Sequence, residues 1–259
     1  MSDRLLKSLT QRAREKGHVR SVEEAARLAE TLARMCGPRS QSRQATFRIG
    51  CVLLARECPT VLVPVCPDYG HEGGRYTFRH LGSGVPLSVK LHAAFLQQMQ
   101  LAVPCKPHLL IADREEEDEV ICRAVGIDRC EFGRRVEGSL AEIVAMAGPR
   151  GWAASRMSDV IRDLTEREAS HADYIRNDGA LSARVKSDAV ARWHMYRRID
   201  TRLTSADMEA RTARTMAQYR AVGSFVVSNE CLVVNHTTTN LSAYADVGAA
   251  LIHNPVEVY

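Results

Sequence analysis

The chain lacks any apolar run long enough to cross a membrane. Its longest such stretches, near residues 60–66 and 225–234, fall far short of the ~20 residues a spanning helix needs. The N-terminal MSDRLLKSLTQRAREKG is charged where a secretory signal is greasy. Neither GxxxxGK(S/T) nor GxGxxG occurs, which argues against nucleoside-triphosphate and dinucleotide enzymes. The 8 cysteines form no CxxC and no Cys/His pair at zinc spacing, and no acidic stretch has the layout of a calcium loop. The expectation is a cytoplasmic protein with free thiols, no membrane, no metal and no cofactor. Lysine is scarce as well, 5 residues against 30 arginines. The arginines gather in residues 1–48 and 192–220, while DREEEDE at 113–119 is acidic. That asymmetry suggests a surface for a polyanion beside a pocket that recognises a cation, with solvated helix faces as the plain alternative.

What is present reads as an α/β fold. Helical spacing covers residues 3–16 and 21–35, with Ser21 and Glu24 at capping-box spacing and Gly37-Pro38 as the stop, so residues 1–40 form an N-terminal helical segment ahead of a domain spanning 41–259. ATFRIGCVLLARE suits a strand or a buried helix equally. TVLVPVCP and HLLIAD are continuously apolar, as strands buried on both faces are. LSVKLHAAFLQQMQL between them is helical, which makes a βαβ unit with parallel strands. A weaker third strand is expected at RCEFG, residues 129–133, and almost continuous helix from 138 to 222. The last of these helices is expected to begin at Thr204 or Ser205 and to end at Gly223, with two short strands flanking Asn229-Glu230 and a closing strand in AALIHNP.

Open parallel sheets bind ligands beyond the carboxyl ends of their strands. Three polar segments map there: CPDYG after TVLVPV, ADREEE after HLLI, and HNPVEVY after AALI. Cys66, Asp68 and Tyr69 offer a nucleophile, a carboxylate and a phenol at the rim, although a buried thiol and an Asx turn explain the first two equally well. His80 lies in the following glycine-rich loop. Ser83, in LGSG, and Ser88, at the next helix start, suit an anion or acyl oxygen, or Ser88 is a plain N-cap. Asp113 and Glu115 are placed to hold a guanidinium or ammonium group, and Asn235 and His236 close the substrate-contacting set. Arg192, Arg197, Arg198 and Arg202, interleaved with aromatics, suit an RNA backbone.

The order of CPDYG, YTFRHLGSG, HLLIADRE, the arginine-rich helices and QYRAVG before the closing strands resembles the cyclodipeptide synthases, most of all their arginine-using branch, over roughly residues 45–259. The resemblance implies a Rossmann-like parallel sheet with flanking helices and a helical insertion, similar to the catalytic domain of class I tRNA synthetases. It implies aminoacyl-tRNA as substrate and no bound ATP. An aminoacyl group moves onto an enzyme hydroxyl, a second amine attacks it, and cyclisation releases a diketopiperazine. The four arginines at 192–202 would hold the tRNA. Where the family has a serine after its first catalytic strand, this chain has Cys66-Pro67-Asp68, so Ser83, Ser88 and Cys66 compete as nucleophile. The family's tyrosine followed four residues later by glutamate is met by Tyr219, as the group orienting the amine, but Gly223 stands at the acid's place.

Two other classes fit the same residues. One is an RNA-binding protein without turnover, in which the arginine helices carry the function. The other is a different Rossmann-like amino-acid-modifying enzyme, such as one similar to isocyanide synthases, in which the arginines are incidental.

Overall fold

Residues 60–65 are apolar at every position after Thr60 and mostly β-branched, a composition stable as a strand only when both faces are covered. The computed structural model describes residues 3–36, 42–65, 70–72, 75–77, 87–113, 122, 126–197, 201–235 and 243–254. There β1 (Thr60–Val65) is the centre of a five-stranded parallel sheet. It pairs on one side with β4 (Lys106–Ile111), which pairs in turn with β5 (Ala153–Arg156). On its other side it pairs with β6 (Leu232–Asn235), which holds β7 (Ala250–His253). The order β5-β4-β1-β6-β7 is that of a Rossmann-like sheet, built outward in both directions from its first strand. β2 (Gly70–Glu72) and β3 (Arg75–Thr77) form a separate antiparallel pair.

Strand periodicity divides the core in two. Val61, Val63, Val65, Leu109, Ile111, Val234 and Ile252 join one cluster, whereas Leu62, Leu110, Val233 and Leu251 join the other. The first face is covered by α2 (Val22–Met35), α3 (Arg43–Ala55), α4 (Leu87–Ala102) and α5 (Arg129–Ala147). The second is covered by α6 (Met157–Val160), α7 (Leu164–Asn177), α8 (Gly179–Tyr196) and α9 (Ser205–Ser228). α1 (Asp3–Lys16) packs Leu5 and Leu9 against Ala26 of α2. Leu28, Ala29 and Leu32 of α2 belong to the same cluster as β1, so the N-terminal helices are built into the sheet's first covering layer. Among the described residues no helix is long and apolar enough to cross a membrane.

Caps start the helices where the side chains call for them. Ser21 Oγ accepts from the Glu24 N–H at 3.1 Å. Thr204 and Asp207 form a reciprocal capping box at the start of α9. ATFRIGCVLLARE is helical, as α3, with Ser42 as its N-cap.

Three expectations are corrected. RCEFG is not a strand but the first turn of α5: Asp128 accepts from the Glu131 N–H at 2.7 Å, and Arg135 reaches Glu131 at the same distance. The sheet's edge strand is instead Ala153–Arg156, inside the stretch read as continuous helix. It is short and without β-branched residues, and its docking on β4, with His108 Nε2 meeting Ser155 Oγ at 3.1 Å, makes it a strand. Gly223 does not end α9, which continues through Ser228, so Ser224–Ser228 is helix rather than the first of two strands. Val222 and Val226 keep helical spacing into the second core, and that burial outweighs the β-branched preference.

The thiols divide by burial. Burial pushes Cys36 up to about 11 and Cys105 up to about 12, so both remain protonated and unreactive in the native state. Cys58 and Cys130 are exposed. In native protein at pH 8, Cys58 and Cys130 are expected to react with Ellman's reagent, and Cys36 and Cys105 only after unfolding; mass mapping of the labelled cysteines checks this.

Candidate functional site

Because the five strands of the main sheet are parallel, all their carboxyl ends face one edge. Val65 stands level with Ile111, and the Ala112 N–H donates to the Val65 carbonyl at 2.9 Å, so the chain leaves β1 and β4 side by side. The topological switch lies between β1 and β6, and this is where such a sheet opens a crevice. Cys66, Asp68, Tyr69, His80, Ser83, Glu115, Arg198 and His236 lie outside the described residues, and so does the side chain of Ser88, whose backbone is in the first turn of α4.

Asp113 follows β4 at this edge and is 6% exposed. Its Oδ1 accepts from the Ser158 N–H at 3.3 Å, and its Oδ2 accepts from the Ser158 hydroxyl. The carboxylate therefore latches the end of β4 to the start of α6, engaging each oxygen once and leaving further lone pairs for a ligand. Asn235 ends β6 and is buried; its carbonyl accepts from the Asn254 N–H at 2.8 Å. The Asn254 amide in turn meets Nδ1 of His92 on α4 at 3.2 Å, both residues being buried. With Asn254 Nδ2 as donor, Nδ1 accepts and the proton sits on Nε2. Sequence reading missed His92 and Asn254: the histidine sits on an apolar helix face, and the asparagine looks like part of a turn before proline.

On the second face, α9 ends four residues before β6 begins. At about 1.5 Å per helical residue, Tyr219 and Arg220 stand about 12 Å back from Ser228, close to the length of a four-residue strand at about 3.3 Å per residue. They are thus near the level of the sheet's carboxyl edge. Tyr219 is packed, 9% exposed, with its ring edge-on to Tyr244 at 5.5 Å between centroids. Four residues on, a Cβ at Gly223 would meet Val247 Cγ2 at 2.5 Å, so no acid can stand there.

A tyrosine with an acid four residues later does occur elsewhere, at Tyr174 and Asp178. Tyr174, in the last turn of α7, is 52% exposed. Its hydroxyl is near enough to the Asp178 carboxylate to favour the ionised form. Asp178 Oδ1 also accepts from the Ala180 and Leu181 N–H groups at 2.9 and 3.0 Å, capping α8. The Leu181 amide foremost, then those of Ala180 and the Tyr174 hydroxyl, with Arg220 adding its charge, hold this carboxyl below its usual range. It is an ionised acceptor at neutral pH. Beneath it, the Arg220 guanidinium lies 5.0 Å from the Tyr174 ring centroid. The Tyr-x-x-x-acid spacing is readable in the sequence, but it falls in a polar helix surface where it looks like solvated charge.

His171, one turn before Tyr174, meets Ser224 Oγ at 2.6 Å, and Ser224 donates onward to the Arg220 carbonyl at 2.7 Å. Ser224 therefore accepts from His171 Nε2–H. Burial first, then the charges of Arg220 and Arg167, lower this imidazole from its usual value. Of the arginine wall, Arg192 is half-buried, and Arg197 and Arg202 are exposed. Arg197 stacks over Trp193 at 5.0 Å, and Trp193 Nε1 donates to the Leu203 carbonyl at 3.1 Å, which fixes this end of α8. No group of three or more histidine, cysteine or acidic side chains suited to a metal occurs among the described residues. Comparison with family models, with curated proteins and with solved structures returned no match.

Two outcomes follow. Asp113→Ala orphans both Ser158 donors and is expected to cost about 1–3 kcal/mol in urea unfolding. His171, depressed in the fold, favours the folded state fully above the unfolded value of 6.5 and loses that contribution as pH falls through 6.5 towards its lower folded value. The acid-side fall in Tm is therefore expected to be shallower in His171→Gln, as scanning calorimetry from pH 7.5 to 5 would show.

Proposed function

We propose that the chain is an aminoacyl-tRNA-dependent cyclodipeptide synthase, with arginyl-tRNA as a substrate. The observation that carries this reading is the Tyr174–Asp178 pair: a half-exposed phenol beside an ionised carboxylate four residues on, about level with the carboxyl edge of a Rossmann-like sheet that lacks any phosphate-binding glycine fingerprint. Acyl transfer between two aminoacyl groups requires a base for the incoming amine. Asp178 accepts the ammonium proton, and the Tyr174 hydroxyl orients the amine toward the acyl carbon. Cys66, Ser83 and Ser88 remain the nucleophiles between which the sequence leaves a choice. Arg192, Arg197 and Arg202 present positive charge on and just beyond the last turns of α8, where a tRNA backbone would lie. Asp113, at the β4 end, keeps acceptor capacity for an arginyl guanidinium.

The experiment is incubation of purified protein with charged tRNAs, one amino acid at a time beginning with arginine, with mass analysis of small products. A diketopiperazine that requires charged tRNA supports the proposal. Salt-sensitive tRNA binding without product identifies the RNA-binding reading instead, and indifference to tRNA the third class. Tyr174→Phe and Asp178→Asn are each expected to lower product formation by about 10²–10⁴-fold, the usual range for loss of a general acid or base, while tRNA affinity stays within about twofold of wild type, since neither removes a phosphate contact.

A further inference from the structure

Arg220 is 6% exposed, on a stretch of α9 where Ala217, Ala221, Val222 and Gly223 are buried as well. A desolvated guanidinium at such a place is costly, and an apolar residue would fill the volume with less strain. Its surroundings explain its presence. Arg167 has Asp163 at 2.8 Å, Arg176 has Asp173 at 3.0 Å, and Arg184 has Asp246 at 2.5 Å. Arg220 reaches that same Asp246 only at 3.3 Å, so the carboxylate is shared and the closer contact belongs to Arg184. The charge of Arg220 is left partly uncompensated, and it falls on Tyr174, Asp178 and His171. Its Nε has no hydrogen-bond partner among the described residues. The guanidinium is held over the Tyr174 ring with its fork of donors only partly used. A guanidinium stacks on a phenol in a way that an ammonium does not.

We propose that Arg220 is the positioning residue of the Tyr174–Asp178 pair, a flat cationic platform anchored by Asp246 that fixes the phenol ring from behind and leaves its outer side to the substrate amine. The inference rests on the role given to that pair above. It assigns to Asp246, through Arg184 and Arg220 together, the task of locking α8 and α9 at the angle the pair requires.

The test places 3-fluorotyrosine at position 174 and follows its ¹⁹F resonance, alongside ¹³C titration of the Asp178 carboxyl, in wild type, Arg220→Lys, Arg220→Met and Asp246→Asn. Loss of the platform is expected to move and broaden the ¹⁹F signal in all three variants and to raise the Asp178 midpoint in Arg220→Met. It is also expected to lower kcat by about 10²-fold with little change in KM for charged tRNA, since misplacement of this kind acts on the reacting geometry. A wild-type ¹⁹F signal in Arg220→Lys, or unchanged kcat in a variant whose signal has moved, overturns the proposal. Should wild type make no diketopiperazine, the synthase reading fails, and the platform is then judged by the two resonances alone. Arg220→Lys keeps charge and stem, and Asp246→Asn keeps the arginine, so the readout survives if Arg220→Met does not fold.

Discussion

Everything in this molecule is arranged by the pairing of β1 on both of its edges with strands of its own direction. A strand so placed has no solvent face, so Val61 to Val65 are apolar without alternation, and the two sets of side chains each demand a covering layer. Parallel pairing also sends every chain exit to one edge. Polar residues that would be dispersed in an antiparallel sheet are forced into company there: the end of β4 with its Asp113 latch, the end of β6 with Asn235, and Asn254 after β7 with His92 beneath it.

The second covering layer adds chemistry to that edge. α7, α8 and α9 are rich in arginine, yet the arginines do different work according to where the helix turns them. Arg220, buried, and Arg184, half-buried, share Asp246, while Arg197 is exposed and lies over Trp193. One composition thus yields both a shared ionic framework around Asp246 and a solvent-facing basic surface. Arg220 of that framework lies over the Tyr174 ring; the basic surface suits a large anionic partner.

Much of the fold was legible from local physics. β1 and the LLI end of β4 announced themselves by their apolar runs, and Ser21 and Thr204 by capping chemistry. The failures came where local preference and tertiary packing disagree. SFVV has the composition of a strand, but Val222 and Val226 share a helical stripe that the second core buries. β5 has almost no strand character of its own and exists because β4 offers it a backbone edge. At the site, the strand-end carboxylate was readable from position alone. The Tyr174–Asp178 pair was not, since its meaning depends on Arg220, forty-six positions from Tyr174 in sequence, lying beneath the ring.

The closeness of Gly223 to Val247 has a mechanical meaning. Hydrogen is the only substituent that fits between them, so a helix turned by one residue, or advanced by one, would drive a methyl group or larger into the neighbouring turn. The contact behaves as a notch that indexes α9, and every side chain measured from it, Tyr219 and Arg220 first, keeps a single azimuth relative to the sheet.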